Sequence, residues 1–206
     1  MSHTGVELGV PTGFWRSPMN NLNVFYTESV MDELAHLAET DPLEYRLKFL
    51  GESPRHKAVL EQAARQAGWG APLPKGHGRG IAIHEWFSFD DAKTVAAQAA
   101  QVSVSKRGRL KVERVDCVVD CGLAVNPDSV KSQMEGGIIM GLSAGVQAIS
   151  ARRLGEGIAL RRQPLRCQSV LLRTRMWEGQ EKRKEAGRLL YARYLSWNKR
   201  LRIGYP

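Results

Sequence analysis

The chain has 206 residues, enough for one domain with a sizeable core, and a formal charge of +9. That charge is unevenly distributed: residues 1–150 carry 15 Lys+Arg against 17 Asp+Glu, whereas residues 151–206 carry 15 against 4. No apolar run reaches the roughly 18 residues of a transmembrane helix, and the first residues lack the basic and apolar regions of a signal peptide. We therefore expect an ordinary globular part followed by a basic segment, without a transmembrane segment. The compartment stays open between cytoplasm and periplasm.

Three helices are predicted in the first third of the chain. The spacing of apolar residues predicts a helix over residues 22–39 with an inward stripe of Leu22, Phe25, Val30, Leu34 and Leu37. Asp41-Pro42 predicts the start of a second helix over residues 42–50, because Asp caps well and Pro has no N–H to lose. Ser53-Pro54 predicts a third helix, which Gly68-Trp69-Gly70 ends. We interpret these helices as scaffold.

Strand patterns follow the helices. Residues 80–87 are typical of a strand, with His84 and Trp86 on one face. Residues 94–105 are ambiguous between helix and strand in their first half and alternate at their end. The turn at residues 106–109 then predicts a hairpin with a strand over residues 110–119. The glycines before residue 80 do not follow a nucleotide-binding pattern.

The stretch from residue 115 to residue 145 reads as a buried strand, a tight turn and a helix rich in glycine. Gly122 permits a turn with positive φ, and Asn126-Pro127 predicts the helix start. The helix then carries Gly136, Gly137 and Gly141, each of which costs roughly 1 kcal/mol against Ala in a helix interior. Such a helix is expected to bring its backbone close to another helix or to a ligand.

Cysteine usage indicates neither a disulfide framework nor a zinc site. The three cysteines are Cys117, Cys121 and Cys167. The first two lie four residues apart on a predicted strand, roughly 13 Å from each other, which is too far for a disulfide. We expect small buried thiols.

Several motifs in fixed order resemble one enzyme family. They are Asp-Cys-Gly at 120–122, Asn-Pro at 126–127, Gln-Met-Glu-Gly-Gly-Ile at 133–138 and Gly-Leu-Ser at 141–143. Together they resemble the molybdopterin-binding large subunit of the xanthine oxidase and aldehyde oxidase family. The branch is the one with isoquinoline 1-oxidoreductase and the aldehyde dehydrogenases that have a molybdopterin subunit.

The resemblance implies a molybdopterin cofactor and particular residues that face it. Gln133 takes the place of the glutamine that reaches the pterin, and Gly136 and Gly137 let the helix approach. An arginine after an aromatic residue lies by the molybdenum pocket in this family, which implies the same place for Arg16 after Trp15. A guanidinium offers forked donors to oxo or phosphate oxygens, although a surface salt bridge is the alternative for Arg16.

The resemblance also implies a fold, a reaction and partners. We expect an α+β fold, in which the helical segment 22–67 precedes a mixed sheet with a Gly-rich helix. Residues 1–148 would form a partial molybdopterin-binding domain. The intact family enzyme hydroxylates aldehydes or N-heterocycles, takes its oxygen from water and passes electrons to an iron–sulfur small subunit or domain.

The resemblance covers about residues 8–146, a minor part of the family's large subunit. The family's upstream Gly-Gly-Phe-Gly segment is not found in this sequence, and its Gly-Glu-x-Pro segment near the C-terminus, which contains the catalytic glutamate, is missing. We therefore expect a truncated subunit that is inactive alone. Our hypothesis for residues 149–206 is a poorly ordered tail read in a shifted frame, which the other frames of the coding DNA test.

An alternative function starts from the basic tail itself. Residues 181–203 can be drawn as a basic amphipathic helix, which is typical of binding to an anionic partner. Salt-dependent binding that deletion of residues 151–206 removes would identify this function. No signature of specific nucleic-acid recognition accompanies the pattern.

Overall fold

The computed structural model describes residues 20–87, 93–152 and 171–176. These ranges contain helices α1 (Asn20–Leu37), α2 (Pro42–Phe49), α3 (Pro54–Ala67) and α4 (Pro127–Arg152). They also contain strands β1 (His77–Phe87), β2 (Lys93–Val104), β3 (Leu110–Asp120) and β4 (Leu171–Met176). Three helices followed by a sheet and a Gly-rich helix confirm the predicted α+β class.

The four strands form one mixed sheet in the order β1-β2-β3-β4. The first three strands are antiparallel neighbours, and β4 pairs in parallel with β3. The pairing of β2 with β3 is the predicted hairpin. A register shift between Gln101 and Val102 interrupts the pairing of β2 with β3. The sheet has helices on both faces, with α3 on one face and α4 on the other.

The larger core lies between α3 and the sheet. Along β2, every second residue from Val95 to Ala99 is buried against the apolar side of α3. The α3 residues in this core are each no more than 3% exposed, namely Val59, Leu60, Ala63, Ala64 and Ala67. Alanines at the contact let the helix lie close to the sheet.

A smaller core lies between α4 and the opposite face of the sheet. Ile138 of α4 is buried with Val112, Val115 and Cys117 of β3. Met134 and Leu142, one turn before and after Ile138, are partly buried beside them. This contact fixes which side of α4 faces the sheet.

Two of the three predicted helix starts are observed as capping contacts, whereas Ser53 precedes α3 without a side-chain capping hydrogen bond. The carboxylate of Asp41 accepts hydrogen bonds from the backbone N–H groups of Leu43 and Glu44 at 2.9 and 3.3 Å. The amide oxygen of Asn126 accepts from the N–H of Ser129 at 3.1 Å. Gly68 ends α3 in the left-handed conformation with φ of 65°. Local sequence therefore sets where these helices begin and end.

The predicted inward stripe of α1 is wrong. Phe25, Val30, Leu34 and Leu37 are 64%, 48%, 41% and 78% exposed, whereas Ala35 is fully buried. The side chain of Leu22 lies outside the described residues. An ion pair explains the orientation, because buried Arg46 of α2 binds Glu28 and Asp32 on the other side of α1 at 3.0 and 2.7 Å.

Two further differences concern the sheet and its ends. The ambiguous half of residues 94–105 belongs to strand β2, and residues 171–176, within the predicted basic tail, form β4. Helix α4 continues past residue 148 to Arg152. The predicted tail helix over residues 181–203 and Cys167 lie outside the described residues.

A buried carboxylate joins the end of β3 to the neighbouring elements. Asp120 is fully buried, and its Oδ2 accepts from Nε of Arg55 at 2.5 Å. Its Oδ1 accepts from the N–H of Gly122 at 3.0 Å. Arg55 also donates to the carbonyl oxygens of Lys93 and Asp120 at 2.6 and 2.8 Å. The starts of α3 and β2 are thereby tied to the turn before α4.

Replacing Arg55 with Met is expected to lower the free energy of unfolding by about 3–5 kcal/mol, because it leaves the buried carboxylate of Asp120 without its cation. Urea unfolding followed by circular dichroism measures the change. The control is Lys111→Met, which removes an exposed partner of Glu113 and should cost less than about 1 kcal/mol. Equal losses in the two variants would contradict the structural role given to Arg55.

Candidate functional site

A groove of about 380 Å³ lies between α4 and the sheet. Its floor consists mainly of small residues of β1 and β2, and Asp32 of α1 lies at its rim. The lining residues are Asp32, Gly80, Ile81, Ala82, Gln98, Ala100, Val115, Gly137, Ile138, Gly141 and Leu142. A wider depression of about 470 Å³ at the end of α1 lies away from these elements and is lined by His36, Leu37, Glu39 and Thr40.

One ridge of α4 runs along the groove. Gln133, Gly137 and Gly141 are spaced four residues apart and therefore lie on one side of the helix. Gln133 is exposed, and the two glycines line the groove. A Cβ atom added at Gly136, Gly137 or Gly141 would meet nothing within 4 Å among the described residues. Packing inside the described structure thus does not require these glycines.

The predicted site residues fall into two groups. Gln133, Gly136 and Gly137 lie together on α4, and Gly137 lines the groove. Arg16 and Trp15 lie outside the described residues, so their predicted place in the site stays a prediction.

Two polar groove residues were not predicted from the sequence. Gln98 stands on the face of β2 opposite buried Ala97 and Ala99, and period-two alternation could have identified that face. Asp32 accepts from Nη1 of Arg46 at 2.7 Å, a contact between two helices that no local pattern signals. The groove therefore combines an apolar floor with one amide and one paired carboxylate.

Arg46 organises the charges beside the groove. Its Nε donates to Glu28 Oε2 at 3.0 Å, and the same oxygen accepts the backbone N–H of Ile83 at 3.0 Å. Because β1 is an edge strand, this carboxylate satisfies an N–H group that the sheet leaves unpaired. The contact holds α1 against β1 and so positions the rim residue Asp32.

Two histidines of the helical segment have different environments. His56 is half-buried and its Nε2 lies 2.9 Å from Glu85 Oε2, whereas His36 is exposed. Within the described ranges, no three His, Cys, Asp or Glu side chains are grouped so that they could hold a metal ion.

His84 lies on β1, outside the set of groove-lining residues. Its Nε2 is buried and has no hydrogen-bond partner among the described residues. Burial lowers the pKa of His84 below its ordinary value of 6.5, and the nearby carboxylates of Glu28 and Glu85 oppose that shift. The fold therefore favours the neutral imidazole.

The cysteines of the stretch from residue 115 to residue 145 are structural thiols. Cys117 is fully buried in the core beneath α4, and Cys121 is half-buried. No disulfide joins them. Burial raises the pKa of Cys117 to about 12, so that almost no reactive thiolate forms near neutral pH. The predicted buried thiol is confirmed at this position.

A family model agrees with the resemblance seen in the sequence. The model for the molybdopterin cofactor-binding domain matches residues 27–147. The match begins within α1 and ends within α4, so it includes every residue that lines the groove.

Three characterised bacterial proteins are similar to the chain. The beta subunit of isoquinoline 1-oxidoreductase from Brevundimonas diminuta is 36% identical over 125 residues, 59% of this chain and 16% of the relative. A nicotinate dehydrogenase subunit from Pseudomonas putida is 38% identical over 135 residues, 59% of this chain and 11% of the relative. The membrane-bound aldehyde dehydrogenase (pyrroloquinoline-quinone) of Gluconacetobacter polyoxogenes is 29% identical over 157 residues, 64% of this chain and 19% of the relative.

The chain thus spans less than a fifth of the length of these relatives. No solved structure matches it significantly. None of the helices in the described ranges combines the length and the apolar character that a membrane crossing requires.

The lowered pKa of His84 predicts a pH-dependent stability. Below pH 6.5 the unfolded chain binds a proton at this histidine more readily than the folded chain does. As the pH is lowered, the free energy of unfolding therefore decreases until the pH lies below the pKa of His84 in the folded state. His84→Leu should flatten this part of the profile, whereas His36→Leu, at an exposed position, should not. Urea midpoints at a series of pH values from 7.5 to about 4.5 measure the effect. A wild-type slope retained in His84→Leu would refute it.

Proposed function

Because the chain belongs to the molybdopterin cofactor-binding domain family of xanthine oxidase-type oxidoreductases, we propose that its α4 groove forms one wall of the cofactor site. The observation that carries this proposal is that Gly137 and Gly141 of α4 line the groove opposite a floor of small residues, with Gln133 one helical turn before Gly137. The two glycines of α4 and the glycine and alanines of the sheet leave room between helix and sheet for a flat ring system.

The donor set of the groove fits the cofactor. A pterin presents N–H donors and ring acceptors along its edge, and the Gln133 amide offers both a donor and an acceptor. Gly136 and Gly137 let the cofactor approach the helix backbone, since no Cβ atom stands in the way. We propose that Arg16 and Trp15 complete this side of the site, with the guanidinium directed to the cofactor's oxo or phosphate oxygens.

We propose that the substrates are aldehydes or N-heterocycles. The names of the relatives include both classes, and two of them are named as subunits. When bound, the cofactor supplies the redox chemistry that takes two electrons from the substrate. The residues of this chain bind and orient the cofactor, and an iron–sulfur subunit or domain is the proposed electron acceptor.

The 206 residues are proposed to be inactive by themselves. The glutamate that the family uses as a base belongs to a Gly-Glu-x-Pro segment near the C-terminus of the large subunit. The Gly-Glu-x-Pro sequence of this chain, at residues 51–54, instead forms the start of α3, where Pro54 is the first helical residue. One wall also cannot exclude water from a cofactor as a complete site does. Oxidation of isoquinoline or benzaldehyde by the purified chain, coupled to an artificial electron acceptor, would contradict this part.

We further propose that residues 1–148 form the cofactor-binding part and residues 149–206 a basic region. The boundary at residue 148 does not coincide with the end of a structural element, because α4 continues to Arg152. Residues 171–176 of the basic region also add strand β4 to the sheet. The alternative function of anionic binding rests on the composition of that region alone.

A chimera tests the role of Gln133. Residues 27–147 of this chain replace the matching stretch of the isoquinoline 1-oxidoreductase relative, and molybdenum and pterin contents are measured after purification. The Gln133→Ala chimera should bind the cofactor up to about tenfold more weakly and contain less of it, because the variant lacks the hydrogen bonds from the Gln133 amide to the cofactor. The control Ser132→Ala removes the neighbouring exposed hydroxyl and should have full content. Equal cofactor contents in the two variants would refute the role of Gln133.

Gly137→Ala separates helix stability from cofactor binding. In the isolated chain it should raise the free energy of unfolding by up to about 1 kcal/mol, because Ala favours the helix and its Cβ meets no atom. In the chimera it should lower molybdenum content. Gly122→Ala is the contrasting control, since φ of 75° makes Ala strained there and destabilising. A Gly137→Ala chimera with full molybdenum content would contradict the proposed approach of the cofactor.

A further inference from the structure

Gln98 is the polar side chain in the floor of the groove. It is half-buried, and its neighbours on the same face of β2 are Ala96 and Ala100. Across the sheet it pairs with Ala82 of β1 and Cys117 of β3. These neighbours are too short to cover the amide, which therefore faces the space beside α4.

No hydrogen bond from the amide of Gln98 to another described residue is observed, whereas Gln101 on the same strand accepts from Nη2 of Arg79 at 3.3 Å. Arg79 of the neighbouring strand, by contrast, donates from Nη1 to the carbonyl oxygen of Gly68 at 2.5 Å. Water can satisfy an amide at an open groove, but a flat ring lying on the floor would displace that water. The ring must then replace the lost hydrogen bonds or bind more weakly.

The geometry points to a specificity role. We propose that Gln98 selects planar heterocycles that carry an N–H donor next to a carbonyl acceptor, the lactam edge. A glutamine amide is complementary to this edge, since its oxygen accepts from the N–H and its NH₂ group donates to the carbonyl. The proposal rests on the function assigned to the groove and adds a second amide to Gln133.

The rest of the groove agrees with a neutral ring. Gly80, Ala82, Gly137 and Gly141 place no long side chain over the floor. Asp32 at the rim supplies a further acceptor for an N–H group. It shares the guanidinium of Arg46 with Glu28, at 2.7 and 3.0 Å, so two carboxylates stand against one cation. The net negative charge disfavours an anionic group of the ligand at that rim.

Two kinds of molecule share the lactam edge. One is the pterin ring of the cofactor, and the other is an oxidised N-heterocycle such as 2-pyridone. Separate titrations of the full chain with pterin and with 2-pyridone distinguish them. When the amide is removed, the chain should lose affinity only for the ring that forms hydrogen bonds with Gln98. Quinoline serves as the control ring, because it has neither the N–H donor nor the carbonyl of the lactam edge.

The test uses Gln98→Met, which keeps the length of the side chain and removes both hydrogen-bonding groups. Its affinity for the recognised ring should fall about tenfold, whereas its affinity for quinoline should stay the same. Gln98→Glu, which keeps only acceptors, should also bind the ring more weakly. The control Gln62→Met lies on α3, across the sheet from the groove, and should bind like the wild type. Circular dichroism verifies that each variant is folded.

The outcomes separate this inference from the proposed function. Wild-type affinity in Gln98→Met, together with weaker pterin binding in Gln133→Ala, would overturn the role of Gln98 and leave the cofactor site standing. Equal losses for quinoline and for the lactam rings would also overturn it, since they would indicate a change in shape. If the wild type binds neither pterin nor 2-pyridone saturably, the inference fails, and the molybdenum content of the Gln133 chimera decides the cofactor site independently.

Discussion

The buried carboxylate of Asp120 is the constraint on which the position of the groove depends. It ends β3, accepts the N–H of the turn residue Gly122 and binds Arg55 at the start of α3. A fully buried carboxylate without such partners would cost several kcal/mol, so the turn, the strand end and the helix start hold one another in place. Helix α4 leaves this turn directly and passes over the sheet. The Asp-Cys-Gly motif therefore acts as a structural anchor for the helix that lines the groove.

Features set by neighbouring residues could be predicted from the sequence. The caps at Asp41 and Asn126 depend on side chains that reach backbone groups two or three residues away, and the positive φ of Gly122 depends on one residue. For the same reason the Gly-rich helix and its start were predictable, and with them the place of Gln133, Gly136 and Gly137 on α4.

Features set by distant residues could not be predicted in this way. The apolar stripe of α1 suggested the wrong buried side. The side that carries Glu28 faces α2 instead, because Glu28 pairs with Arg46, which lies 18 positions later in the chain. Arg55 and Asp120 are 65 positions apart. Strand β4 follows a segment of unlike composition, and its parallel pairing with β3 has no local signal. The alternation of β2 shows which face Gln98 occupies, but it cannot show that α4 leaves that part of the face open.

The two faces of the sheet use small residues in opposite ways. On one face the alanines of α3 are packed against β2, with Ala63 fully buried and Ala64 3% exposed. On the other face α4 has Gly136, Gly137 and Gly141 where a methyl group would meet nothing among the described residues. Together these glycines cost the helix roughly 3 kcal/mol relative to alanine, and no contact in the described structure offsets that cost. Packing against this sheet does not explain them. The proposed approach of the cofactor to the helix backbone would give the glycines, Gln133 and the groove a common physical reason, whereas approach of another helix would explain the glycines alone.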